Sequence, residues 1–540
     1  MARTRSALLF SALVSLGVLG RVSAQVGTVL HQQKISEVEG GFHGPLDPNG
    51  RFGRDIEALG DLGGDGTIEL AVVDLQHTLW ILSLGPDGRV VNERAITTGA
   101  QGRHDLAVAR VGDMDGDGIT ELAVGFFTFV QHRESFVEIF FLDSAGGVKR
   151  SRVIAPSDPV FVPAITSGDA WGFAIAGIGD VDGDGIADIA VGAPEDDDGP
   201  GLDNGAVWIV HLRNDGSPKS AFKINELRGG GAGLIDANGF GYSIAPLGDL
   251  DGDGNRDLLV GCAGSTFIDP SLQPFGILVL FLDASARVLR VSSILQEEFA
   301  RYRDASGNEQ NCGFGLSVAT LGDLDADGTV EIAVGAPTCE GGEFFVGSLK
   351  RDGTLARKVR IKAGVGGFSG ILSPGVSFGC SLASLGDIDG DGAPELAVGS
   401  FWEDDGGSGP GAVWILGLDQ SPVRNSGSNP LTLSETGQPA LGRPWTLTLD
   451  CTAHGAGLAF VAGYERPHPG SASPAGVVLV DLTSRRLFRF STAHIGAAVN
   501  FTPVIPSVAA LLGMQLHVQG LVTGAPASRL SNALDVVIGK

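Results

Sequence analysis

Positive charge is what this chain is short of. Against 63 Asp and Glu it sets 37 Lys and Arg, a net charge of −26. A surface that acidic repels phosphate, which excludes nucleic acid as a partner. Cysteine is scarce as well: Cys262, Cys312, Cys339, Cys380 and Cys451 are the whole complement. No two of them form a CxxC pair, so zinc ribbons and fingers are excluded. An odd number also leaves at least one thiol without a partner in its own chain. The ten histidines are scattered and no HExxH string occurs, which removes the helical zinc-hydrolase pattern. Past the first twenty residues no stretch reaches the roughly 18 uninterrupted apolar residues of a membrane helix. No segment carries a helical period of useful length.

The first residues read as an address. Residues 1–5 are basic, residues 6–20 are mostly apolar, and Val22-Ser23-Ala24 offers a small-residue cleavage site before Gln25. That pattern predicts a signal peptide over 1–24, export, and no membrane span after cleavage, with an uncleaved anchor as the alternative. The expected location is extracellular, secreted or at the cell surface. The remaining length exceeds one ordinary core, so two domains or a repeat array are expected.

What the chain has in quantity is one acidic loop, written six times. The copies carry Asp61, Gly63 and Asp65; Asp113, Asp115 and Asp117; Asp180, Asp182 and Asp184; Asp249, Asp251 and Asp253; Asp323, Asp325 and Asp327; and Asp387, Asp389 and Asp391 at positions 1, 3 and 5. A Gly follows each at position 6, and Glu69, Glu121, Asp188, Asp257, Glu331 and Glu395 stand at position 9. Carboxylates in that spacing can wrap one hard cation in oxygen ligands, and the mixed, flexible oxygen cage suits Ca2+ better than Mg2+. Up to six ions are expected. The first loop, with Gly63 where the others have Asp, is the weakest. Six copies favour a structural ion, because an enzyme needs one distinctive site. The metal-free alternative is a set of solvated Asp-Gly turns.

A longer unit surrounds each loop. Upstream lie Phe52-Gly53, Trp171-Gly172, Phe240-Gly241, Phe314-Gly315 and Phe378-Gly379, while the second copy has His104-Asp105 instead. Downstream come apolar runs such as Ile189-Ala190-Val191-Gly192-Ala193-Pro194, then Ala206-Val207-Trp208-Ile209-Val210, then Phe222-Lys223-Ile224. Short runs rich in Val, Ile and Phe, bounded by Gly, Asp and Pro, are strands. Four per unit, repeated radially, predict an all-β fold and a β-propeller, with a solenoid as the alternative.

Phe-Gly, then Asp-x-Asp-x-Asp-Gly, then Gly-Ala-Pro closely resembles the FG-GAP repeats of the integrin α-subunit propeller and related bacterial secreted proteins, over about residues 26–420. The resemblance implies calcium in the turns between first and second strands. Gly63 and the breaks at Phe126-Phe127, Cys262-Ala263 and Ser400-Phe401 depart from the pattern. The last repeat runs out after its third strand, and Gln33-Lys34-Ile35-Ser36 resembles the fourth-strand segment Phe222-Lys223-Ile224-Asn225. An N-terminal strand closing the ring predicts six blades, with seven, as in integrins, the alternative. The propeller is expected over 25–418, a Ser/Asn/Gly/Pro-rich linker over 419–430, and a small C-terminal β-sandwich over 431–540.

Catalytic signatures are thin. Gly375-Val376-Ser377-Phe378-Gly379 matches GxSxG, but it overlaps a Phe-Gly element and no helix is expected after it, as a nucleophile elbow requires. The turns Glu195-Asp196-Asp197-Asp198 and Phe401-Trp402-Glu403-Asp404-Asp405 fall on the face opposite the acidic loops. Such turns are ordinarily solvated, although Trp402 beside carboxylates hints at a binding face. The leading functional expectation is a calcium-binding module for protein or glycan ligands, including adhesion. The alternatives are an extracellular hydrolase or enzyme accessory domain, and a structural surface or matrix component. Within the fifth repeat, Cys312 precedes a first strand and Cys339 follows the antiparallel second strand. The repeat therefore brings them together as a candidate disulfide, with two free thiols the alternative.

Overall fold

The computed structural model describes residues 26–420 apart from 76–77, 99–104, 128–134, 167, 199–203, 233–238, 263–275, 301–311, 326, 340, 374, 391–392 and 405–408. Beyond 420 only strands are described. The expected signal peptide lies outside the described residues. The molecule is nearly all β, and its one described helix is the single turn Gln296–Phe299. Among the described residues no helix is long and apolar enough to cross a membrane.

Six four-stranded antiparallel sheets form a six-bladed β-propeller. Blade three shows the pattern: Ile175–Gly179, Asp188–Ala193, Ala206–Leu212 and Pro218–Ile224 pair in chain order. Val29–Ile35, from the N-terminal end, supplies the fourth strand of blade six, pairing antiparallel with Ala412–Leu418 so that His31 faces Gly417 and Lys34 faces Trp414. The ring is closed as expected, and no open sheet edge is left at the seam.

Position in the blade decides burial. Second and third strands are covered on both faces by neighbouring blades: Asp188–Ala193 and Gly276–Leu282 are buried at every residue. Fourth strands lie at the rim, and Val148–Ile154 is exposed at all but its last residue. The Phe-Gly and Gly-Ala-Pro elements explain each other across blade junctions. The aromatic residue is fully buried, as Phe52, Trp171, Phe240, Phe314 and Phe378 show. The following Gly takes a positive φ, for example +93° at Gly241, which an L side chain tolerates poorly. Its carbonyl lies against the second-strand Gly of the preceding blade. A Cβ added at Gly192 would come within 2.0 Å of the Gly241 oxygen, and Gly125, Gly261, Gly335 and Gly399 are equally confined by Gly172, Gly315, Gly379 and Gly53. Three junctions add a hydroxyl latch: Ser243, Ser317 and Ser381 donate to the carbonyls of Gly315, Gly379 and Gly53 at 2.8, 2.7 and 2.9 Å.

The predicted bridge is present: Cys312 and Cys339 are disulfide-bonded with Cα atoms 4.7 Å apart, and Cys262 and Cys380 are buried free thiols. Gly375–Gly379 leads into the strand Phe378–Gly386 and not into a helix. Beyond residue 420, strands form a five-stranded, a three-stranded and a two-stranded sheet. Val423–Arg424, inside the segment expected to be a linker, pairs with Arg529–Val537.

Candidate metal centres

All six acidic loops connect a first strand to a second, so they share one face of the ring. Each loop is tied by its own carboxylates. Asp113 accepts from the N–H groups of Gly116 and Asp117 with Oδ1, at 2.8 and 3.1 Å, and from Gly118 with Oδ2 at 2.9 Å. Asp180 and Asp249 repeat this, and Asp323 accepts from the N–H groups of Asp327 and Gly328. The position-9 residue caps the N–H of position 2: Glu69 accepts from Leu62, Glu331 from Leu324 and Glu395 from Ile388, each at 2.8 Å.

Length then separates Glu from Asp at position 9. Asp188 uses its second oxygen on the Leu212 N–H at 2.9 Å, and Asp257 does the same with Leu282 at 3.2 Å. The longer Glu keeps its second oxygen inside the loop. In loop two, single oxygens of Asp113, Asp115, Asp117 and Glu121 all lie within 4.8 Å of one another. Glu121 is fully buried, and its Oε1 has no hydrogen-bond partner among the described residues. Burial pushes its carboxyl up to about 7, and Asp115, Asp113 and Asp117 add to the rise. A buried acceptor without a donor is costly, and a cation at the centre of the four carboxylates would satisfy it.

The remaining loops converge in part. Asp180, Asp182 and Asp184 cluster without Asp188; Asp249, Asp251 and Asp257 cluster without Asp253; Asp323, Asp325 and Glu331 cluster without Asp327. In loop six, Asp389 and Glu395 cluster with His31 and without Asp387, and Asp391 lies outside the described residues. Asp61, Asp65 and Glu69 of loop one form no such cluster. Burial also raises the carboxyls of Asp188 and Asp257, each to about 6.

Sequence reading missed the fourth strand's contribution. Arg150 reaches Asp115 at 3.1 Å, Lys219 reaches Asp182 at 2.7 Å, Arg290 reaches Asp251 at 2.9 Å and Arg357 reaches Asp325 at 3.1 Å. Every one of these is the position-3 carboxylate. Blade one, whose position 3 is Gly63, carries uncharged Asn92 opposite Ser83, where blade two carries Arg150 opposite Phe141. The signal was available in the repeat, where blades two to five pair a position-3 Asp with an outer-strand Arg or Lys and blade one has Gly63 and Asn92.

On the opposite face the expectation of solvated acidic turns holds for Asp197 and Asp198, which are exposed, but not for every carboxylate. Asp196 and Glu403 are buried and pair with fourth-strand lysines: Lys223 contacts Asp196, and Lys34 lies 3.3 Å from Glu403. Glu343 pairs likewise with Arg360 at 2.7 Å. These buried carboxylates clamp the turn to the outer strand. Trp402 remains 42% exposed, with the Arg51 guanidinium 4.0 Å from its ring centre.

First strands line an axial cavity of about 300 Å³ that holds Arg54, Asp55, Glu57, Phe173, Tyr242 and Phe401. Counting back four residues from each loop's first Asp gives Ala109, Ala176, Ala245, Ala319 and Ala383, but Glu57 in blade one. Desolvation pushes Glu57 up to about 8, with Asp55 adding to it, and pushes Asp55 up to about 6. The cavity's Ser243 and Ser317 hydroxyls are engaged in the latches described above.

Two stretches, 171–210 and 378–416, match the FG-GAP repeat family. The chain is similar to integrin alpha-5 of Xenopus laevis, 30% identical over 241 residues, and to integrin alpha-IIb of Homo sapiens, 31% identical over 238 residues; each match takes in 43% of this chain and 20% of the relative. It is also 33% identical to human integrin alpha-7 over 169 residues, 30% of this chain and 12% of the relative. The chain thus spans about a fifth or less of the length of these relatives.

Proposed function

For a chain built of FG-GAP repeats in a six-bladed β-propeller, we propose the role of an extracellular, calcium-binding module that engages protein or glycan ligands, as in adhesion. The ions are held by Asp113, Asp115, Asp117 and Glu121, and by their counterparts in loops three to five, with loop one the weakest and loop six set apart by His31. The observation that carries this reading is loop two, where four carboxylates converge and the buried Glu121 Oε1 lacks a donor. The ion's part is structural: it ties first strand to second and neutralises the acidic face. In this reading residues 1–24 are removed on export, 25–418 form the propeller, and 431–540 form a β-sandwich beyond the linker.

The ligand face is the one opposite the loops, where Trp402 and Arg51 stack in the open beside the axial cavity. A flat aromatic ring backed by a guanidinium suits sugar or peptide surfaces. The full chain, applied to arrays of glycans and matrix proteins, should bind in about millimolar calcium and lose binding in chelator. Trp402→Ala should weaken binding while leaving the thermal transition in place. Equal binding with and without calcium, or binding indifferent to Trp402, overturns the reading.

A further inference from the structure

Loop six differs from every other loop in what its fourth strand presents. Blades two to five bring Arg or Lys, permanent cations that contact the loop carboxylates directly. Blade six brings His31, whose strand is the one that closes the ring. Its Nε2 lies 3.7 Å from Asp389 Oδ2 and 3.6 Å from Glu395 Oε1. Both separations are too long for hydrogen bonds. They come close to the spacing of ligands around a single ion, since bonds of about 2.0–2.2 Å in a tetrahedral site put neighbouring ligand atoms roughly 3.3–3.6 Å apart.

The seat for the imidazole is built into the third strand. Opposite His31 stands Gly417, and a Cβ there would meet His31 Nε2 at 1.8 Å. Blades two and four have Phe141 and Phe281 at that place, each under an arginine. The second carboxylate is fixed as well. Glu395 is 1% exposed and anchored through Oε2 to the Ile388 N–H, so that Oε1 is turned toward His31.

We propose that loop six is a mixed nitrogen–oxygen centre for a first-row transition-metal dication such as Zn2+, with His31, Asp389 and Glu395 as ligands. An imidazole favours such ions over Ca2+, which takes oxygen. Because His31 belongs to the N-terminal strand and the carboxylates to the last repeat, the bound ion clasps the ring shut at its seam. The proposal rests on the acidic loops being cation sites.

The test uses the full chain saturated with Ca2+ and titrated with Co2+ and then Zn2+. Wild type should show the visible absorption of nitrogen-bound Co2+, displaced by one equivalent of Zn2+, and Zn2+ should slow proteolysis of the N-terminal strand. His31→Gln should lose the absorption and weaken Zn2+ binding by about tenfold or more, with Ca2+ uptake at the other loops unchanged. Asp389→Asn should lose the absorption too, which guards against a folding defect peculiar to the His31 variant. Zn2+ affinity equal in wild type and His31→Gln overturns the proposal. Ca2+ uptake without a His31-dependent Zn2+ site sinks this inference alone, whereas a chain that takes up neither ion sinks the calcium reading with it.

Discussion

At the junction of blades three and four, Gly192 lies against the Gly241 carbonyl with no space for a side chain. At the junction of blades one and two, the same place is taken by Val73, fully buried, and blade two has no Phe-Gly to present. Blade one departs elsewhere too: Gly63 replaces a loop Asp, Asn92 a rim base, and Glu57 a packed alanine. The Val73 and Gly63 departures are each matched by a change in what they face. The repeat is therefore a set of paired contacts that vary together, and blade one has drifted as a unit away from the pattern its neighbours keep.

The broadest way to break this comparison is to remove calcium. Extracellular calcium modules bind at roughly 0.1–1 mM, so at about 1 mM ion each complete loop adds up to about 1.4 kcal/mol. Chelation should lower the propeller's thermal transition on the order of 5–10 °C. Calorimetry unaffected by chelator would remove the basis for ranking the loops. Next in size, Gly192→Val, which writes blade one's residue into blade three, should cost about 3 kcal/mol or more by forcing the junction apart. Urea denaturation checks it, and a loss below about 1 kcal/mol would mean that the Gly–Gly contact does not dictate the motif.

Glu57 puts a titrating carboxyl where the other five blades have alanine. Its carboxyl is raised from 4.5 to about 8 by burial, so the folded chain holds a proton that the unfolded chain releases. Its contribution is fully present below pH 4.5 and is lost as pH rises through about 8. Glu57→Gln should flatten the decline in stability across that window, as read by melting temperature against pH. An unchanged profile would place the carboxyl in water. Smallest of all, Gly63→Asp should tighten calcium binding at loop one by roughly tenfold through the restored charge. The new Cβ has room, its nearest neighbour being the Ser144 carbonyl at 3.4 Å. Calorimetric titration that finds no added affinity would show that the missing carboxylate is not what weakens the loop.

Much of the fold was legible because its signals are local and repeated. Phe-Gly, the acidic loop and the short apolar runs set the strands, and the resemblance of Gln33–Ser36 to Phe222–Asn225 pointed to the closing strand. The disulfide followed from placing Cys312 and Cys339 on antiparallel neighbours within one repeat. What stayed hidden depends on residues that meet only across strands or blades. Asp196 and Glu403 read as turn residues until Lys223 and Lys34 arrived from outer strands to bury them. His31 is an isolated histidine in sequence, and only the seam sets it beside Asp389 and Glu395.

By itself the sequence determined the repeat, the acidic loops and their number, because strand periodicity and turn chemistry act over a few residues. Tertiary structure alone decided which carboxylates converge. Asp and Glu at position 9 read alike in one dimension. Only the third strand's approach shows Asp188 bound through both oxygens to backbone N–H groups, while Glu121 keeps one oxygen for the loop. One methylene, set against a fixed distance between strands, leaves Glu121 an oxygen that Asp188 has already given to the backbone.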